Sequence, residues 1–269
     1  MVALGPPGPW SLAGDAAGPF PIELAAPPAV ATMPRTLRVT TFNVEYSTRT
    51  GPLIAALRAH PEVGRSDVLL LQEVGPHRLD GARAAPLAEA LGLGHAYAHG
   101  LAILCRWPLR DVAVMELPRA RLPYNQRRRI ALAAEVDTDA GPLRLMSVHL
   151  DTRLNRHERV LQLAPAVTDA HPLQIVGGDM NTLPFHFVGG AAPVYRADQV
   201  GLLDAYMRGL GFATPVSAAG ATHRNVLGVR LDAVFTRGVV PQAARVARDV
   251  RVSDHFPVWA DVELPAAGG

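Results

Sequence analysis

The amino-acid sequence predicts a mixed α/β domain, because short β-rich runs alternate with longer helical stretches along most of the chain. The chain has 269 residues, of which 49% are hydrophobic. That is enough apolar material to bury a large core in a single domain. No internal repeat is evident, so we expect one catalytic domain.

The first 34 residues differ from the rest in composition. They are rich in proline, glycine and alanine and show no sustained hydrophobic period, which predicts a separable extended arm over residues 1–34 and not a packed element. The catalytic domain is predicted over residues 35–269. Met33 lies just before the first strand-like run, so a start at Met33 is an alternative to one at Met1.

The folded part is predicted to contain eight core strands and three helices. The strands are expected at residues 37–44, 68–71, 101–104, 130–136, 143–149, 173–177, 231–235 and 258–262. The helices are expected at residues 52–59, 85–91 and 156–170, and the last of them has a charged opening followed by apolar positions.

Composition excludes some classes of protein. The formal net charge is only +2, and the isoelectric point is near 9.0, which falls short of a polybasic nucleic-acid-binding protein. The single cysteine, Cys105, lies in an apolar run and can form neither an internal disulfide nor a thiolate metal cluster. We interpret it as a small buried hydrophobe and not as a nucleophile.

The sequence shows no stretch approaching the roughly 20 apolar residues of a membrane-spanning helix, and no export signal is recognised. A cytoplasmic location is therefore expected.

Polar side chains stand at the ends of several predicted strands, where they can meet in one cleft. Each alone is compatible with a turn or a surface charge. Together they are informative, because carboxylates after apolar strands are costly unless they find water, a donor or a cation. The candidates are Asn43, Glu73, His149, Asp179, Asn181, Asp232, Asp254 and His255.

These candidates lie in motifs that, taken in order, resemble the endonuclease/exonuclease/phosphatase superfamily of DNase I-like metal-dependent phosphoesterases. The motifs are Thr41-Phe42-Asn43, Leu71-Gln72-Glu73, Ser147-Val148-His149-Leu150, Gly178-Asp179-Met180-Asn181, Leu231-Asp232 and Ser253-Asp254-His255-Phe256-Pro257. The resemblance spans residues 37 to about 264, and weaker similarities follow in the same order at residues 100–104, 129–132 and 159–162.

The resemblance implies a four-layer α/β sandwich, in which two packed mixed β-sheets are flanked by helices and the active site opens where loops leave the sheet edges. It also implies that Glu73 is the main ligand of Mg2+, assisted by Asn43 and Asp254. Mn2+ is an alternative, because both cations favour oxygen-rich sites.

The remaining candidates are predicted to carry out phosphoester hydrolysis. Asp179 would orient or deprotonate the attacking water, and Asn181 would hold a phosphate oxygen or the Asp179 carboxylate. His255, oriented by Asp232, would donate to a non-bridging phosphate oxygen. The resemblance suggests His149 as a further donor. An alternative makes His255 the general base and leaves Asp179 as a metal or water ligand.

The substrate is less constrained, because the superfamily includes nucleases, phosphatases, sphingomyelinases and deadenylases. A stretch of arginines around Tyr124 predicts a phosphate-binding rim with a base-stacking group, which favours DNA or RNA. In the alternative interpretation these arginines are solvated charges and Arg129 belongs to the framework. The arginines are Arg119, Arg121, Arg127, Arg128 and Arg129.

Two other functions remain as alternatives. The first is a phosphatase or a phospholipid phosphodiesterase with peripheral lipid binding, in which the apolar residues 185–188 form part of the substrate rim. The second is a noncatalytic binding module that has kept the fold.

Overall fold

The computed structural model describes residues 10–13, 20–45, 49–75, 84–120, 128–169, 171–188, 191–196, 199–224 and 228–266. The strands are β1 (Trp10–Leu12), β2 (Glu23–Ala25), β3 (Thr36–Asn43), β4 (Val68–Gln72), β5 (Gly94–Ala98), β6 (Leu101–Cys105), β7 (Arg110–Glu116), β8 (Ile130–Thr138), β9 (Gly141–His149), β10 (Leu173–Asp179), β11 (Phe185–Val188), β12 (Ala192–Tyr195), β13 (Asp232–Arg237), β14 (Val240–Val246) and β15 (Val258–Glu263). The helices are α1 (Thr50–Ala59), α2 (Ala84–Leu91), α3 (Arg156–Val167) and α4 (Val200–Gly209), with a short 3-10 turn at Val63–Arg65.

Two mixed sheets pack against each other and carry helices on their outer sides, which confirms the predicted α/β sandwich. The six-stranded sheet has the order β1-β7-β8-β9-β10-β13, and the seven-stranded sheet has the order β14-β15-β3-β4-β6-β5-β2. A separate two-stranded sheet is formed by β11 and β12.

Alternating side chains build the layers, as the period of a β-strand requires. In β4, Val68 and Leu70 join the larger core between the sheets, whereas Leu69 and Leu71 pack in the second core, which includes Leu53 of α1 and Leu87 of α2. Helices α3 and α4 pack against each other and contribute Leu163 and Met207 to the larger core. Strands that bury both faces read as continuous apolar runs.

All eight predicted strands and all three predicted helices are present, although α3 ends at Val167 and not at residue 170. The elements of residues 35–269 that were not predicted include the edge strand β14 and the short pair β11 and β12. Strands β5 and β7 and helix α4 were not predicted either. Cys105 is fully buried, and burial raises the pKa of its thiol to about 12.

The described parts of the N-terminal segment are packed, in contrast with the expectation of an extended arm. Strand β1 pairs with β7, and β2 pairs with β5. Phe20 is buried beneath the Arg128 guanidinium, whose carbon lies 4.1 Å from the ring centroid, and the Trp107 indole N–H donates to the Ala31 carbonyl (2.8 Å). Strands of three residues are too short to leave a period in the sequence. That residues 1–34 are separable from the catalytic domain remains a prediction.

The strand register places the site residues in neighbouring positions. Asp179, the last residue of β10, is paired with His149 on one side and with Asp232 on the other. A Cβ atom on Gly177 would lie 2.6 Å from Leu70 of the opposite sheet, and one on Gly178 would lie 2.0 Å from the Val148 carbonyl oxygen. Gly177 therefore allows the two sheets to approach each other beside Asp179, and Gly178 allows β10 to pass close to its neighbour β9.

Among the helices in the described part of the chain, none is long and apolar enough to cross a membrane.

Candidate active site

The buried carboxylate of Asp179 is the centre of the candidate site. Its Oδ2 accepts a hydrogen bond from Asn43 Nδ2 (3.0 Å), and its Oδ1 accepts one from the Asn181 backbone N–H (2.8 Å). Asn43 ends β3 of the seven-stranded sheet, whereas Asp179 ends β10 of the six-stranded sheet. The site therefore forms where strands of both sheets end.

His149 joins Asp179 to Glu73. Its Nε2 lies 3.4 Å from Asp179 Oδ2 and 3.8 Å from Glu73 Oε1. The imidazole is nearly buried, but the Glu73 side chain keeps 20% of its surface exposed, so the carboxylate remains accessible from the solvent.

His255 and Asp232 form a tight pair on the other side of Asp179. His255 Nδ1 lies 2.8 Å from Asp232 Oδ2, and its Nε2 lies 3.7 Å from Asp179 Oδ2. Thr222 fixes the start of β13, because its Oγ1 accepts hydrogen bonds from the backbone N–H groups of Leu231 (2.9 Å) and Asp232 (3.0 Å). The His255 imidazole is thus oriented by the carboxylate of Asp232, whose backbone is itself held in place by Thr222.

Burial and neighbouring charges shift the pKa of two of these groups. Burial alone would lower the pKa of His255, but the nearby carboxylates of Asp232, Asp179 and Asp254 raise it to about 10. Burial raises the pKa of Asp179 to about 6, against the opposing effect of the His255 charge. At neutral pH, His255 is therefore a proton-bearing donor and Asp179 is largely an anion.

Two of the site residues have a backbone conformation that is uncommon outside glycine. Glu73 has φ of 56° and Asn181 has φ of 48°, and such positions cost about 1–3 kcal/mol. The Asn181 side chain donates to the Leu150 carbonyl (2.8 Å), and the next residue after Glu73, Val74, donates its N–H to the Gly100 carbonyl (2.9 Å). These contacts hold the strained backbone in place.

The residues present fit a hard divalent cation. Ser253 Oγ donates to the Asn43 carbonyl (2.8 Å), which brings Asp254 next to the end of β3, and Glu73 follows the neighbouring parallel strand β4. The Asp254 side chain is 34% exposed. Carboxylates and an amide oxygen are the ligand types that Mg2+ and Mn2+ favour, and in the described part of the chain the groups of side chains close enough together to hold an ion are Asp179, Asp232 and His255, and His223, Asp254 and His255.

A model of the "Endonuclease/Exonuclease/phosphatase family" matches residues 40–255, which is well over half of the chain. The chain belongs to this family. Its members are generally hydrolases, and the match confirms the resemblance seen in the sequence. A search of curated proteins gives no match.

Solved structures of the endonuclease/exonuclease/phosphatase family share the fold. One is a family protein from Beutenbergia cavernae DSM 12333, with 23% identity, a TM-score of 0.67 and coverage of 87% of this chain and 73% of that chain. The human Nocturnin catalytic domain with bound sulfate has 17% identity, a TM-score of 0.59 and coverage of 92% and 97%. D. rerio TDP2 complexed with single-strand DNA product has 17% identity, a TM-score of 0.55 and coverage of 86% and 100%. These likenesses show the fold alone.

One residue of the site was not predicted. His223 forms an isolated β-bridge with His255, and the two rings lie perpendicular with centroids 4.8 Å apart. Its Nε2 is 3.4 Å from Asp254 Oδ2, and this contact lowers the pKa of Asp254. His223, Asp254 and His255 form one of the groups able to hold a metal ion. No strand precedes His223, so the criterion of strand ends could not find it.

The structure brings eight of the predicted site residues into one contact network, but Arg129 has a different environment. It is buried and forms an ion pair with Asp151 (Nε to Oδ1, 3.0 Å). Gln162 completes this buried group by donating to Asp151 Oδ2 (2.9 Å) and to the Pro118 carbonyl (3.0 Å). This environment supports the framework interpretation of Arg129.

The other arginines of the predicted rim are partly described. Arg128 and Arg119 both donate to the Glu116 carboxylate, and these bonds lower the pKa of Glu116 to about 2. Their charges are therefore largely neutralised. The predicted substrate residue Tyr124, like Arg121 and Arg127, lies outside the described residues.

Proposed function

We propose that the protein hydrolyses phosphodiester bonds of nucleic acid, with Mg2+ as the metal ion and Mn2+ as a substitute. One observation carries this proposal: Asp179 Oδ2 lies 3.4 Å from His149 Nε2 and 3.7 Å from His255 Nε2, and His149 also contacts the partly exposed carboxylate of Glu73. An acceptor for a proton, two imidazoles and a cation ligand are thus gathered around one position that a phosphate could take.

The chain's own groups divide the work as follows. Asp179 accepts a proton from the attacking water, whose oxygen forms the new bond to phosphorus while the bond to the leaving oxygen breaks. His255 donates to a non-bridging phosphate oxygen, where negative charge increases in the transition state. A cation held by Glu73, Asn43 and Asp254 would add positive charge beside the phosphate when bound.

The two roles considered for His255 are not equally supported. A general base needs a free lone pair at neutral pH, whereas the carboxylates around His255 raise its pKa to about 10, against the effect of burial. The arrangement therefore favours the donor role for His255 and the base role for Asp179. Asp232 is the positioning residue for His255. His149 is proposed as a second donor from the side of Glu73.

Nicking of plasmid DNA by the purified protein in the presence of Mg2+ tests the proposal. We expect nicking that is abolished by a chelator and by Asp179→Asn, since this exchange keeps the size of the side chain and removes its negative charge. Absence of nicking by the folded, metal-loaded protein would reject DNA as substrate, and an RNA substrate under the same conditions extends the test to both nucleic acids. Turnover of bis(p-nitrophenyl) phosphate then separates the chemistry from the choice of substrate.

A second candidate, a phospholipid phosphodiesterase, is supported by the hairpin of β11 and β12. The hairpin follows Asn181 closely in the chain and exposes Val188, Val194 and Tyr195 by 55%, 48% and 62%. Asn155 fixes it, because its Oδ1 accepts from the Phe187 N–H (2.7 Å). Co-sedimentation with phosphatidylcholine vesicles that is lost in Val194→Asp would favour this candidate.

The remaining alternative is a noncatalytic binding module. It predicts no metal-dependent turnover of any phosphoester, including bis(p-nitrophenyl) phosphate, by the folded protein. We also retain the cytoplasmic location as part of the proposal.

A further inference from the structure

Two loops beside Asp254 carry a group of exposed arginines, Arg224, Arg248 and Arg251, which we call the loop arginines. The Arg224 backbone N–H donates to the Asp254 carbonyl (2.7 Å). Arg251 lies three residues before Asp254 in the chain. The loop arginines therefore border the candidate active site on the side of Asp254.

Backbone carbonyls hold two of these guanidinium groups. Arg248 Nη2 donates to the carbonyls of Ala219 (2.7 Å) and Ala221 (3.2 Å), and Arg224 Nη1 donates to the Arg251 carbonyl (3.3 Å). These bonds link the two loops to each other. The guanidinium groups are thereby placed without losing their charge, because a carbonyl is a neutral acceptor.

In the described part of the chain, no carboxylate forms a salt bridge with any loop arginine. The nearest acidic neighbour in the sequence, Asp249, is instead in contact with His60 (Oδ1 to Nε2, 3.0 Å). This is the opposite of Arg119 and Arg128, which share the Glu116 carboxylate. Among the described arginines, those without a carboxylate partner therefore include the loop arginines and do not include Arg119 and Arg128.

We propose that the loop arginines bind phosphate groups that flank the scissile phosphate in a nucleic-acid strand. The proposal rests on the proposed function and specifies its substrate as a polyanion with several phosphates. Guanidinium groups fit phosphate oxygens in a bidentate manner. The described parts of these two loops expose no large hydrophobic side chain, which favours a polyanionic strand over insertion into a membrane.

Binding of a fluorescently labelled single-stranded oligonucleotide, measured by anisotropy at several salt concentrations, tests the inference. Each phosphate contact contributes about 0.7 to the slope of log K against log salt for a single strand. Combined Arg224→Gln, Arg248→Gln and Arg251→Gln exchanges should therefore reduce the slope by about 2 and weaken binding at least about tenfold at low salt.

Arg110→Gln is the matched control, because Arg110 is exposed, carries the same charge and pairs with Asp137 at the end of β7 remote from His149. Arg251→Gln alone guards against misfolding, since its side chain makes no hydrogen bond or ion pair with another described residue. In the Arg251→Gln variant the slope of log K against log salt should fall by about 0.7.

The outcomes separate this inference from the proposed function. Unchanged affinity and slope in the folded variants would overturn the inference, even if the wild-type protein hydrolyses bis(p-nitrophenyl) phosphate. Weaker binding to phosphatidylserine vesicles with unchanged binding to the oligonucleotide would also overturn it and would assign the surface to membranes. Arginine-dependent binding by a wild-type protein without turnover would sustain the inference and reject the proposed function.

Discussion

Replacement of Asp232 by asparagine tests the assignment of His255 most directly. Asp232 is fully buried and lies 2.8 Å from His255 Nδ1, so the Asp232→Asn exchange removes a negative charge from the imidazole while it preserves the size of the side chain. We expect the pKa of His255 to fall from about 10, because burial would then be opposed by fewer carboxylates.

The size of the expected effect follows from the pKa shift of His255. The rise in the pKa of His255 from 6.5 to about 10 corresponds to about 5 kcal/mol. Asp232 is the nearest of the three carboxylates responsible, and we assign about half of this free energy to it. A loss of about 2–3 kcal/mol corresponds to a pKa that is lower by about 2, so turnover should fall about tenfold near pH 9 and change little at neutral pH.

The assay is the pH dependence of bis(p-nitrophenyl) phosphate turnover at saturating Mg2+. If His255 acts as a donor, the loss of activity on the alkaline side moves to lower pH in Asp232→Asn, and the defect is smaller near pH 6 than near pH 9. Asp261→Asn is the control, because it breaks the ion pair with Arg38 at the far end of β15. An unchanged alkaline limb in a folded Asp232→Asn protein would refute the donor role.

Four other outcomes follow from the structure. Glu73→Gln should raise the Mg2+ concentration for half-maximal activity about tenfold or more, and an unchanged Mg2+ titration would remove Glu73 from the metal site. His223→Ala should lower kcat about tenfold without a lower melting temperature, because Asp254 loses its imidazole contact; equal kcat values would show that this contact has no catalytic importance. Glu116→Gln should lower the free energy of urea unfolding above pH 4.5, and this difference should shrink as the pH falls toward 2, because the folded protein depresses the pKa of Glu116; a difference that is the same at pH 6 and pH 3 would contradict this. Phe20→Ala should lower the free energy of unfolding by about 3 kcal/mol, since the ring is buried; a loss below about 1 kcal/mol would indicate a separable arm.

The fold was predictable to the extent that burial leaves a pattern in the sequence. Strand β4 is buried along its whole length and reads as an uninterrupted apolar run. Strand β14 could not be found in this way, because it lies at an edge, is mostly exposed and contains Pro241. Its hydrogen bonds to β15 are made by backbone groups, which are present in every sequence.

The helices show the same division. Helix α3 begins with a capping box formed by Asn155 and Glu158, which marks its start in the sequence. Helix α4 has Gln199 at its N-cap without a side-chain cap. Gln199 instead accepts a hydrogen bond from the fully buried Arg159 (3.0 Å), so its position depends on a partner 40 residues earlier.

The candidate site was predictable because its residues follow buried strands, and the substrate surface was not. An arginine acts as a phosphate ligand only if no carboxylate neutralises it, and that depends on partners distant in the chain. Arg129 is paired with Asp151, 22 residues away. Arg224 resembled any solvated charge in the sequence, and only the contact of its loop with Asp254 indicates a role.

The site requires both sheets, and this requirement explains why strained and charged residues persist there. Glu73 follows the apolar strand β4, and Asp179 is the last residue of the buried strand β10, where the Asn181 backbone N–H is its partner close in the chain. Each carboxylate has a partner from the opposite sheet: His149 of the six-stranded sheet lies 3.8 Å from Glu73, and Asn43 of the seven-stranded sheet donates to Asp179. Isolated buried charges are unfavourable, and separation of the two sheets would remove one partner from each carboxylate. The two carboxylates would attract a cation, and a bound cation would attract a phosphate, so the proposed catalysis depends on the packing between the two sheets.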